Sequence, residues 1–236
     1  MRFRARRRAI ARNMAIAAAV PSLTADVRVD LTRVLDVRAA LNTERTAVGE
    51  PKLSVQSFIA RAAVDALAEH PDLNSTFTDA ALLRWQPVNL SIAVDTTGGL
   101  VVPVIRNAQR LGVVQLASAI ADLADRAKTG SLELSDLTGG TFTLSNPGAI
   151  GPSLRAEALL NPPQTALLGL PGMRREPVVV QHGDGREEVR ISSVLDLSLT
   201  FDHRAVDGGE PIRYLVAVRD RLQRWSSTEY GPPTAA

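Results

Sequence analysis

At 236 residues, with 45% hydrophobic and 22% charged side chains, the chain has the composition of a folded domain and enough apolar material for one large core. A formal charge of +2 points to no nucleic-acid or acidic partner, and no run approaches the roughly 20 apolar residues of a membrane span. The absence of cysteine excludes disulfides, thiolate metal sites and cysteine nucleophiles, and three scattered histidines suggest no metal site. A soluble cytoplasmic protein, or one in an equivalent reducing matrix, is the expectation.

Six arginines lie among the first twelve residues. Arg12 and Asn13 interrupt the apolar stretch that an export signal needs, and Phe3 is the only aromatic before Phe58, which disfavours a nucleic-acid arm. A solvated helix start is the simpler reading, with Ile10, Met14 and Ala17 at helical spacing and Pro21 ending it. From Leu23 to Asp30 apolar and polar residues alternate, which predicts a half-exposed strand. Asp30 is placed to cap a helix from Leu31 to about Asn42, and the stretch from Thr43 to Leu53, with Gly49 and Pro51, reads as a loop. Ser54 then caps a helix whose apolar face is Val55, Phe58, Ile59, Ala62 and Ala66 and which ends before Pro71.

Two β-rich runs follow, Val88 to Asp95 and Leu100 to Ile105, joined by the turn residues Thr96, Thr97, Gly98 and Gly99. Pro103 assigns the second run to a sheet edge or a bulge. Val113, Leu116, Ile120 and Leu123 predict an amphipathic helix running to Lys128 and stopping at Gly130. Thr141 to Ser145 reads as a short strand entering the turn Asn146, Pro147, Gly148. Val178 to Val180 and Val189 onward flank a polar hairpin tip, His182 to Gly185. Leu195, Leu197, Leu199 and Phe201 then alternate with polar residues, so His203 continues the apolar register. A helix from Pro211 to Arg224 closes a single α+β or α/β sandwich over residues 1–225, followed by a polar tail, 226–236.

Histidine is the usual base near neutral pH. His70, just before Pro71 at a helix end, reads as structural, and His182 at a hairpin tip as solvated. His203 ends an apolar strand between Asp202 and Arg204, with Asp207 four residues on. Shielding there would favour the neutral imidazole that a base requires. A buried histidine simply bonded to Asp207 explains the same spacing, and the residues alone do not choose between the two.

The run Asp202 to Gly208, DHRAVDG, resembles the signature of the acyltransferase (E2) components of 2-oxo-acid dehydrogenase complexes and, more distantly, the active-site motif of chloramphenicol acetyltransferase. The likeness continues through RRRAIARNM (Arg6 to Met14), IAVDTTGGLVVPVI (Ile92 to Ile105), GGTFTLSN (Gly139 to Asn146) and NPPQTALLG (Asn161 to Gly169). It implies a chloramphenicol-acetyltransferase-like α+β fold, with a mixed central sheet and flanking helices. It also implies transfer of an acyl group between a dihydrolipoyl thiol and coenzyme A.

In that family the signature histidine takes the thiol proton, so the resemblance assigns this role to His203. It assigns the oxyanion hydroxyl to Ser145, while Asp207, four residues after His203, reads as an orienting or salt-bridging residue rather than a second base. Arg204 is expected to be structural and Asp202 to lie outside the reaction. Pro147 is unusual for the family and drives Asn146 towards extended geometry. The implied assembly is a homotrimer with sites between chains, usually built into a larger cage, and the implied partners are a lipoyl domain and the E1 and E3 components. Neither Lys52 nor Lys128 sits in a lipoyl-type turn, so the lipoyl group is expected from a separate domain or chain, with no lipoyl or subunit-binding domain in this sequence. The polar tail leads us to expect a trimer that assembles further weakly or not at all. Serine rather than threonine at 145 leans towards acetyl or branched-chain groups over succinyl. Two rivals stay open at this level: an enzyme acylating a small-molecule hydroxyl or amine, and a non-catalytic core subunit.

Overall fold

The computed structural model describes residues 5–151, 155 and 157–225; the polar tail expected at 226–236 lies outside them. Five α-helices are present among the described residues: α1 (Ala5–Ala18), α2 (Thr32–Ala47), α3 (Val55–Leu67), α4 (Val113–Thr129) and α5 (Gly209–Gln223). The strands are β1 (Ser22–Asp30), β2 (Ser75–Phe77), β3 (Leu82–Arg84), β4 (Leu90–Ile92), β5 (Val104–Ile105), β6 (Phe142–Ser145), β7 (Ala166–Gly169), β8 (Arg174–Gln181) and β9 (Glu187–Asp202). Seven of them form a mixed sheet in the order β1-β9-β7-β6-β4-β5, with β8 also paired to β9, while β2 and β3 make a separate hairpin. β4, β6 and β7 run parallel and the remaining pairings are antiparallel.

Local chemistry sets the helix ends. The Ser54 hydroxyl accepts from Ser57 N at 3.3 Å and starts α3, and Gly130 at φ 75° stops α4. Asp30 acts one position earlier than a cap in the strict sense, its Oδ1 accepting from Thr32 N at 2.8 Å. α2 runs on to Ala47, five residues past the predicted end, because Asn42 serves both helix and loop. Its amide bonds the Leu53 carbonyl and N–H at 3.1 and 2.7 Å and draws the return segment against the helix.

α3 is the helix most enclosed by others: ten of its thirteen residues are buried, and Phe58 meets the Trp225 ring edge-on at 5.3 Å. Its packing joins α4 and α5 to the sheet core of Leu90, Phe142, Leu144, Leu197 and Leu199. Removing the Phe58 ring would cost about 3–5 kcal/mol by cavity formation. The expected hairpin of Val88–Asp95 and Leu100–Ile105 forms as shorter strands, β4 against β5 with a bridge from Val94 to Val101, and the partner that follows Pro103 stands at the sheet edge.

β9 is sixteen residues long, and its two halves have different neighbours. Residues Val194 to Asp202 pair with β1, and of these Ser198 to Phe201 also pair with β7, whereas those before Val194 pair only with β8 and form an arm. Val179 and Val189 are cross-strand partners on the arm, and both, with Ile191, are exposed.

Candidate active site

β9 delivers His203 to the end of the sheet. The strand stops at Asp202, where the buried carboxylate accepts from Arg204 N at 2.9 Å and folds the chain into a turn. Arg204 reinforces that turn with bonds to Asp202 of 3.0 Å from Nε and 2.7 Å from Nη2, and its guanidinium lies 4.6 Å above the Phe77 ring. Asp202 N–H donates to Thr165 O, while Asp202 O accepts from Ala205 and Val206. The ion pair of this turn joins Asp202 to Arg204, which is the structural duty expected of Arg204.

His203 itself is held by its backbone, whose N–H donates to Pro21 O at 3.0 Å, and its ring rests against Phe201 at 5.8 Å. The imidazole is exposed, contrary to the expected shielding. Alternation does bury Phe201, but the paired β1 residues end at Ser22 opposite Asp202, so no strand among the described residues flanks position 203. Asp207 is also exposed, and its carboxylate has no partner among the described residues. Its carbonyl accepts from Glu210 N at 3.1 Å and opens α5, so no hydrogen bond joins Asp207 to the His203 ring in this chain.

Ser145 ends β6 and is half-buried, with its carbonyl accepting from Leu170 N at 2.7 Å. Its hydroxyl makes no hydrogen bond to another described residue. Pro147 opens a short 3-10 turn, Pro147–Ala149, where its missing N–H leaves no bond unmade. The Asn146 side chain caps that turn by accepting from Ala149 N at 3.1 Å, and Asn146 sits at φ −119°, ψ 73°, short of the extended geometry expected. Gly148 is pressed against the next segment: a Cβ there would lie 2.6 Å from Pro171 O. A cavity of about 400 Å³ opens beside Ser145, walled by Ile92, Val94, Ile120 and Ile150, with Gln56 also lining it.

Strand register fixes how the two candidates relate. Ser145 is level with Gly169, and Gly169 with Ser198, while β9 runs four further residues to Asp202 before His203. That is roughly 13 Å along the strand, plus two strand spacings of roughly 4.8 Å each. Ser145 and His203 thus stand at opposite ends of the sheet in one chain, too far apart to hold one reacting atom between them.

The other histidines are accounted for. His70 is buried, its Nδ1 lies 2.7 Å from Glu210 Oε1 and its ring meets Tyr214 edge-on, so it ties the end of α3 to α5 rather than serving only its own helix. Burial opposes ionisation of Glu210, but the bonds from His70 and Arg213 outweigh it and hold the carboxyl below its ordinary range. His182 lies in the β8–β9 turn, partly in solvent, with Nε2 3.2 Å from Glu188 Oε2. A second cavity, of about 570 Å³ beside the α2 N-terminus, includes Arg28 and Arg190, which are paired with Asp196 and Asp30. None of the candidate residues lies there.

The fold places the chain first among chloramphenicol-acetyltransferase-like α+β proteins. A chloramphenicol acetyltransferase superposes with a TM-score of 0.51 at 16% identity, over 89% of this chain and 94% of its own. A probable dihydrolipoamide acetyltransferase from Listeria monocytogenes superposes with a TM-score of 0.87 at 29% identity, over 100% of this chain and 97% of that one. An Azotobacter vinelandii dihydrolipoamide acetyltransferase, studied for a serine, a histidine and an asparagine four residues further on in its catalytic mechanism, gives 0.84 at 32% identity over 92% and 88%.

The family model described as 2-oxoacid dehydrogenases acyltransferase (catalytic domain) matches residues 1–228, and the chain belongs to that family. The acetyltransferase component of the Corynebacterium glutamicum pyruvate dehydrogenase complex is 40% identical over 83% of this chain and 29% of its own length. The succinyltransferase component of the Pseudomonas aeruginosa 2-oxoglutarate dehydrogenase complex is 35% identical over 87% and 49%. The chain spans less than half the length of the curated relatives it matches.

Proposed function

We propose that the chain transfers an acyl group between a dihydrolipoyl thiol and coenzyme A, as the core of a 2-oxo-acid dehydrogenase complex. The observation that carries this reading is the Asp202–Arg204 turn, which holds His203 outward at the end of β9 with its ring free of any hydrogen bond to another described residue. Acetyl or branched-chain groups are favoured over succinyl, in keeping with Ser145 and with the higher identity to the acetyltransferase relative.

A thiol with a pKa near 8.5 is only a few per cent thiolate at neutral pH, so proton removal by an imidazole raises the attacking species. The thiolate sulfur bonds to the acyl carbonyl carbon, and the carbonyl electron pair moves onto oxygen, where the Ser145 hydroxyl donates to it. Collapse expels the dihydrolipoyl sulfur, which recovers the proton from the imidazolium. Asp207 stands four residues after His203, the interval between the histidine and asparagine studied in the Azotobacter enzyme, and is assigned the orienting role once the site is assembled.

Because His203 and Ser145 cannot meet within one chain, the site is assigned to the junction of two copies in a homotrimer. A second copy would also cover the exposed imidazole and the bare apolar arm at Val179, Val189 and Ile191. The lipoyl group, E1 and E3 are assigned to separate domains or chains. The test is acyl transfer from acetyl-, isobutyryl- and succinyl-coenzyme A to dihydrolipoamide. His203→Ala should lower kcat by about 10²–10⁴. Unchanged turnover in that variant refutes the base, and a parent inactive with every donor refutes the reaction.

A further inference from the structure

The cavity beside Ser145 holds another hydrogen-bonding group, whose orientation follows from a chain of bonds beginning at a backbone donor. Ala149 N–H can only donate, so the Asn146 atom facing it at 3.1 Å is the oxygen. Asn146 therefore turns its Nδ2 to Gln56, and the Gln56 atom that receives it at 3.0 Å is Oε1. Gln56 Nε2 is left with two N–H donors that no other described residue accepts. Gln56, Ser145 and Asn146 line the same cavity. Gln56 also sits in the first turn of α3, a helix anchored on three sides, so its backbone is fixed while its amide faces the opening.

We propose that Gln56 is a further substrate-binding residue, its Nε2 donating to the carbonyl oxygen of an acyl thioester in this cavity. The identity of the ligand rests on the acyltransferase reading above. A neutral amide is well matched to this contact, because it loses no proton, costs less to desolvate beside Ile92 and Ile120 than a charged donor, and forms a bond to the oxygen that strengthens as charge gathers there. Asn146 is the positioning residue, because it fixes which end of the Gln56 amide points inward.

Calorimetric titration of S-acetyl-dihydrolipoamide reads this contact without turnover. Gln56→Glu retains an acceptor for Asn146 and removes both donors, so at pH 7.5 it should bind about 10-fold more weakly than the parent. Gln56→Leu should lose a similar factor, and melting temperatures of both should stay within about 3 °C of the parent. Equal affinity in Gln56→Glu and the parent, or no binding by the parent, overturns the assignment. Acyl transfer is assayed separately: a parent that binds the thioester but never acylates from coenzyme A refutes the reaction while the donor assignment stands.

Discussion

Asp202 and Arg204 grip one another across the residue between them, with Nε at 3.0 Å and Nη2 at 2.7 Å, so the side chain that they bracket is turned outward by the geometry of its neighbours. Asp202 is 3% exposed, and removing the guanidinium leaves a buried carboxylate without its countercharge, held by the backbone N–H of residue 204. Arg204→Ala is therefore expected to destabilise the fold by about 2–4 kcal/mol, less than for a fully enclosed pair because the guanidinium is partly in solvent. Thermal melts should show a fall of roughly 5–15 °C. A melting temperature within about 1–2 °C of the parent, an ordinary scatter for a surface change, would mean that the pair is not what closes the turn.

Gly148→Ala should damage activity through the backbone. The new Cβ would lie 2.6 Å from Pro171 O and 2.8 Å from Gly172 N, neither of which is the end of a flexible side chain. We expect a cost of about 1–3 kcal/mol and, with the turn after Ser145 displaced, a drop in kcat beyond what lost fold accounts for. Paired melts and kinetics below the melting range separate the two effects. Full activity per folded molecule would show that Ser145 tolerates a shifted turn.

Acid should weaken the fold through carboxylates held low in the native state. The Arg28 bond lowers Asp196 against the effect of burial, with Arg174 adding to it, and the His70 and Arg213 bonds lower Glu210 despite its burial. A depressed folded pKa means stability fully present above the unfolded value, 4.5 for the glutamate, and lost as pH falls through the folded value. Melting temperature should accordingly be level near neutrality and decline below about pH 4.5. Glu210→Gln should lower the neutral plateau and shallow the decline. A plateau unchanged by the substitution would show that the His70–Glu210 tie adds nothing to the fold.

Much of this architecture is legible in residue order, for reasons that differ by element. α3 and α4 announce themselves because a cap or a terminal glycine coincides with a continuous apolar face, as at Ser54 and Gly130. β9 is legible because one of its faces is more apolar than the other. β7 is not, since its four residues are all buried and carry no alternation. The hairpin of β2 and β3 also escapes notice, because Asn74, which bonds the carbonyls of Trp85 and Pro87, lies well away from them in sequence.

At the site, the motif around His203 is visible in the sequence, but its exposure is not. Exposure depends on where β1 stops opposite Asp202, a register fact. Asp202 looks like a bystander in sequence because strand alternation points it away from His203, yet the turn it closes is what aims the ring. Gln56 carries no sequence signal at all: that no other described residue accepts from its donors follows from the orientation of two amides, and only coordinates reveal which atoms face which.

Complementation between two inactive variants asks whether the His203 of one chain works with the Ser145 of another. His203→Ala and Ser145→Ala, each purified alone, should be nearly inactive, with Ser145→Ala down by about 10²–10³. Co-expressed in equal amounts with separate tags, they should form mixed oligomers in which about one quarter of the junctions pair an intact histidine with an intact serine. Acyl transfer should then recover to about one quarter of the parental rate per chain. Mixed oligomers, verified by both tags, that stay as inactive as the single variants would contradict a site shared between chains.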